Sequence, residues 1–131
     1  MGMLTRSAAR ALLAAIFVYS GYGMFNNAER YAQRAAAALP MLPEEPMLAK
    51  VHGAAMVAAG TTLALGILPR LSARILALTM IANTYIGHPF WKADKPEDRR
   101  PQLVHFLKNL GLVGGLLYIS AGQPKRAERP D

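Results

Sequence analysis

The chain reads as an all-α integral membrane protein, a four-helix bundle with a short interfacial helix after the first span. Three observations predict this class. Four long apolar runs dominate a 131-residue chain that is 53% hydrophobic and 18% charged, and a bilayer core asks for about 20 apolar residues per helix, within ~17–25. The runs lack the polar stripe, at about 3.6-residue spacing, that a soluble bundle helix carries; LLAAIFVY and AAMVAAGTTLALGIL are apolar all round. The basic residues stand at the edges of the runs, with Arg6 and Arg10 before the first, Arg70 and Arg74 between the second and third, and Lys125, Arg126 and Arg129 after the last. That placement suits phospholipid head groups.

The length makes a single domain of residues 1–131, with spans at about 8–26, 47–68, 71–87 and 103–122 and a cytoplasmic tail at 123–131. The first and second spans are free of charge apart from their edges. The third and fourth contain Arg74 and Lys108, whose stems must reach toward the head groups or be paired inside the protein. Arg6 and Arg10 before an apolar run also resemble a secretory signal, but YSGYGMFNN carries no A-x-A cleavage site and three more runs follow. The first run is therefore expected to stay as a helix. Gly21, Gly23, Gly53 and Gly60, and the G-x-x-x-G of Gly111 and Gly115, mark expected places of close helix approach.

The connections differ in character. In the first, Asn26-Asn27-Ala28-Glu29 reads as an N-cap with an acidic residue three positions on. AERYAQRAAAAL then predicts a short interfacial helix, wetter on the side of Glu29, Arg30, Gln33 and Arg34. PMLPEEP predicts an extended linker. The second connection is a brief turn at Pro69-Arg70. In the third, HPFWKADKPEDRRPQ, the prolines Pro89, Pro96 and Pro101 predict an irregular charged loop. The Arg6/Arg10 flank places both termini in the cytoplasm by the positive-inside rule, with the two long connections outside.

Composition excludes several functions. A net charge of +7 with pI near 10.2 invites a nucleic-acid reading, but that footprint needs basic residues clustered with aromatics on one face. With no cysteine, disulfides, thiolate metal sites and persulfide chemistry on this chain are excluded. Three histidines without Cys, Asp or Glu at ligand spacing predict no metal site. The spans hold no acidic residue, which argues against a proton- or ion-coupled carrier.

VHFLKNLGLVGGLL, in the fourth span, carries the chain's most distinctive polar group. His105, Lys108 and Asn109, at offsets 0, 3 and 4, share one helix face. Lys108 lies about five residues inside the span, roughly 7–8 Å deep at about 1.5 Å per residue. An amine facing lipid there costs up to ~2.5–3.5 kcal/mol on insertion scales, so it should turn inward or find a partner. Four-span topology gathers His52, His88 and His105 at one membrane face with Lys50, Trp91, Lys108 and Asn109. One reading is a polar pocket lined by His52, His88, Trp91, His105, Lys108 and Asn109, closed by HPFW, with Lys50 and Asn83 as secondary members. The other is that these groups only cap helices and bond each other. Trp91, Tyr85 and Phe90 equally suit an interfacial aromatic belt, Asn83 and Thr79 an interhelical hydrogen bond, and Lys50 a snorkelling cation.

ALTMIANTYIGHPFW together with HFLKNLGLVGGLL resembles the DoxX family of small bacterial membrane proteins, and RALLAAIFVYSGYGMF and GTTLALGILPRLSA fit the same pattern, from about Arg10 to Leu117. The resemblance implies a four-helix protein of the bacterial inner membrane. The family takes its name from a subunit of a thiosulfate:quinone oxidoreductase, and its members are described as membrane partners of sulfur-handling and oxidative-stress enzymes. Two functions follow as expectations. The chain is a redox-linked membrane subunit that binds quinone or anchors an oxidoreductase, or it is a non-enzymatic scaffold whose polar residues fasten helix ends. The expected partners are the bilayer, a redox or sulfur-handling protein and a second copy of the chain, with no nucleic acid. Quinone is the candidate ligand, and no other cofactor is assigned. Any sulfur-carrying step would need a partner protein or a non-covalent site.

Overall fold

A computed structural model describes residues 2–122; the tail basics Lys125, Arg126 and Arg129 and the segment 123–131 lie outside the described residues. Among the described residues every regular element is helical: α1 (Met3–Asn26), α2 (Ala28–Ala38), α3 (Pro46–Leu65), α4 (Pro69–Gly87), a 3₁₀ turn at Phe90–Lys92, and α5 (Pro96–Ala121). The four long helices run up and down. Gly21 meets Gly53 and Val18 meets Gly60, so α1 and α3 are antiparallel. Thr62 bonds Ser72 at the same end of the bundle where Arg10 meets Gly66 and Arg70 meets Gly122. Around the bundle the order is α1, α3, α4, α5, with α2 lying against α3 and α4.

The core is built from one stripe of each long helix: Phe17 of α1, Met56 and Leu63 of α3, Leu76 of α4 and Leu116 of α5 are all fully buried. The outward faces are equally apolar. Leu12, Tyr19, Tyr22, Leu78, Leu107 and Tyr118 are exposed around the bundle, an apolar belt far beyond the patches a soluble monomer shows. The protein is an all-α helical membrane protein. By length and composition α1, α3 and α5 are each long and apolar enough to cross a membrane. The helix left out of that set, α4, contains Arg70 and Arg74 and buries the most hydroxyls. Its Ser72 bonds Thr62, Thr79 donates to Leu76 O and Thr84 to Met80 O.

Several local expectations need correction. The charged loop expected at residues 88–102 is helical from Pro96, because proline at a first helical position loses only an N–H that would be unpaired anyway. Pro101 sits one turn further in, at the cost of one ladder bond. α2 forms, but Asn26, the expected cap three residues before Glu29, is the last residue of α1, and Asn27, at the start of α2, makes no side-chain cap bond; its Nδ2 donates back to Gly23 O at 2.9 Å and ties off α1. The second apolar helix stops at Leu65, not 68, because Gly66 turns left-handed at φ 73° and Ile67 N bonds Thr62 O, a Schellman-type stop. Leu68, at φ 44°, then adopts a conformation that L side chains avoid before Pro69 opens α4.

Candidate functional site

Glycines set the spacing at one side of the bundle. A Cβ on Gly53 would lie 2.6 Å from Gly21 O and 3.0 Å from Phe25 N, and one on Gly21 would lie 2.7 Å from Gly53 O. The backbones of α1 and α3 therefore touch, as in small-residue membrane interfaces. The α1–α5 seam is different. Gly115 meets only Leu13 Cδ2, at 3.9 Å, while Gly111 and Gly114 meet nothing within 4 Å. Among the described residues the G-x-x-x-G of α5 is thus not a packing seam.

Toward the α4–α5 connection the loose seam holds a polar cavity of about 270 Å³. Phe17, Met24, Met56, Met80 and Ile86 form its apolar walls, the three methionines coming from three helices. Ser20, Tyr31, Arg34, Asn83, His88, Lys108 and Asn109 supply its polar atoms. Asn109 is 7% exposed and Asn83 half-buried, whereas Arg34 and Lys108 are exposed. The neutral amides therefore lie deep and the cations at the mouth. Arg34 sits 6.0 Å from the Tyr31 ring centroid, a weak cation–π contact. Among the described residues no acid lines this cavity. Its chemistry suits a ligand with acceptor oxygens, met by amide and charged donors.

The expected site residues are divided by the structure. His88, Lys108 and Asn109, with Asn83, share the polar cavity. His52 lines a separate apolar cavity of about 190 Å³ beneath α2, and among the described residues its buried Nε2 has no hydrogen-bond partner. His105 lies one turn before Lys108 and leaves the cavity to stack on His88, with centroids 4.9 Å apart and planes at 18°. Of HPFW, His88 alone lines the cavity. The 3₁₀ turn throws Trp91 outward against Tyr85, Phe90 and Phe106, with centroids 5.2–6.0 Å apart. Lys50, exposed at the start of α3, sits 5.9 Å from the Phe25 ring centroid, outside both cavities.

Arg34 and Gln102 were not expected at the site. Gln102 Oε1 is 2.8 Å from His88 Nδ1. Its spacing of three from His105 put both on one helix face, a signal present in the sequence. Arg34 carried no such signal, because only the docking of α2 brings it to the cavity.

No curated protein and no solved structure matches the chain. The family model described as DoxX matches residues 5–89, from α1 to the end of α4 and short of α5. On that match, which covers more than half of its length, the chain belongs to the DoxX family.

Proposed function

We propose that this chain is a redox-linked subunit of the bacterial inner membrane that takes a quinone-type ring in the polar cavity. The observation that carries the reading is the cavity's layout, with adaptable apolar walls, one buried and one half-buried amide, and two cations with no acid beside them among the described residues. Asn83 and Asn109 would donate to the ring oxygens, Lys108 and Arg34 would favour any negative charge developing on them, and Met24, Met56 and Met80 would pack its faces. The pocket lies at the non-cytoplasmic end. Arg6, Arg10, Arg70 and Arg74 mark the opposite end as cytoplasmic, and α4 completes a four-span bundle with both termini inside. Reporter fusions after Lys50 and after Arg99 should then give matching exported signals; opposite signals would break the topology. Purification in mild detergent with mass spectrometry of bound small molecules tests the ligand. Recovery of quinone from the parent, and its loss from Lys108→Met with folding retained, is the expected result.

One observation favours the scaffold reading. The His88–Gln102 bond, the His88–His105 stack and the Phe90–Phe106 contact at 5.1 Å fasten the end of α4 to the start of α5. They leave Lys95, Glu97, Asp98, Arg99 and Arg100 exposed. That charged turn would be the docking surface for a soluble redox or sulfur-handling enzyme. Co-purification of such an enzyme, lost when Glu97, Asp98, Arg99 and Arg100 are replaced by serine, would favour this function over ligand binding.

A further inference from the structure

We infer that the ligand is a tailed amphiphile, and that its apolar tail occupies the second cavity, beneath α2. This rests on the polar cavity being the head-group site. The two cavities share Met24, Tyr31, Asn83 and Ile86 as a common wall. Ligand pockets span ~300–1,000 Å³; neither cavity, at about 270 and 190 Å³, reaches that range alone, and joined they do. The shared wall is suited to yielding, since methionine is unbranched and adapts its shape and Tyr31 is only partly buried on α2, an 11-residue helix.

The chemistry changes across that wall. Behind it Ala32, Ala35, Leu39, Leu42, Leu48 and Ala82 form an apolar chamber roofed by α2 and the linker that follows it. Among the described residues no lysine or arginine lines this chamber; its ionisable groups are the exposed Glu45 and the histidine His52, so nothing in it selects an anionic head, and the rest of its surface suits hydrocarbon. At the wall, Asn83 Nδ2 donates to Met56 Sδ at 3.4 Å, a weak acceptor easily exchanged for a ligand oxygen. His52, one turn before Met56, keeps its buried Nε2 unpartnered among the described residues. A ring set at the wall would offer oxygens to both, with its tail running under α2.

The test uses the full chain in lipid nanodiscs and two probes, a dimethoxy-methyl-benzoquinone without a tail and its decyl derivative. Ala35→Phe and Ala82→Leu fill the apolar cavity from α2 and from α4. Each should weaken the decyl probe about tenfold or more, the loss expected when about two methylenes are expelled, and leave the tail-less probe unchanged. Comparing variants with the parent cancels the partitioning of the tailed probe into lipid. Equal effects on both probes, or none on either, overturn the tail assignment while the head-group reading stands. If the parent binds neither probe, the head-group reading fails and the tail assignment with it. Should the variants not fold, a decyl probe with a diazirine at its tail end decides on the parent chain: crosslinks within residues 32–48 are expected, and labelling confined to α1 and α5 overturns the proposal.

Discussion

The two flanks of α1 use the same residue to opposite ends. Against α3, Gly21, Gly53 and Gly60 bring backbones into contact, and a Cβ at Gly60 would lie 2.9 Å from Val18 Cγ2. On α5, Gly111, Gly114 and Gly115 are exposed; among the described residues the first two meet nothing within 4 Å and Gly115 meets Leu13 alone, at 3.9 Å. Glycine is thus a packing residue where a second helix comes close at the same level, Gly21 and Phe25 against Gly53, Ala14 and Val18 against Gly60. Where it does not, the helices stand apart and a cavity remains. In lipid no hydrophobic drive closes such a gap, so the loose seam survives as the place where polar side chains gather.

The contrast breaks first at Gly53. Gly53→Val drives a branched side chain into the backbone of α1, and thermal melting in detergent should show a loss of about 3 kcal/mol, the upper end of ordinary overpacking costs; a parent-like melt would show that α1 and α3 are not held at backbone contact. Gly66→Ala should come next, at about 1–2 kcal/mol, since it forces a left-handed residue and brings a methyl within 3.0 Å of Arg10 Nη2.

On the loose flank, Lys108→Met and His105→Ala sharpen the distinction between pocket and fastener. Lys108→Met should cut retention of a bound quinone about tenfold, the worth of one charge-assisted hydrogen bond, with the melting temperature held. His105→Ala should lose about 1 kcal/mol of stability from the stack on His88 and keep the ligand. The reverse pattern would move the site out of the cavity. The smallest effect belongs to Gly111→Ala, expected to be neutral or to stabilise by up to about 1 kcal/mol through helix propensity. A clear destabilisation there would reveal a partner, a second copy included, packed on α5.

Much of the fold was legible in the chain because apolar runs and prolines act locally. The runs at residues 11–28 and 51–68 lie largely within α1 and α3, and Pro69 opens α4. The misreading of residues 96–102 has a local cause too: Pro96 and Pro101 look like breakers until Pro96 is recognised as a helix start. The polar triad on α5 was visible from spacing alone, but its division was not. A face of a helix is about 100° wide, and whether a residue on it meets a cavity or a neighbouring ring depends on the facing helices.

The sequence by itself determined that this is a helical membrane protein, where its apolar runs lie, and that His105, Lys108 and Asn109 share a face, since hydrophobic period and length are properties of single segments. Tertiary structure alone decided that α1 closes on α3 and not on α5, that Arg34 reaches the same cavity as Lys108, and that His52 stands in a separate chamber. These follow from how helix backbones approach one another, and that approach depends on small residues meeting at matching heights on two helices distant in the chain.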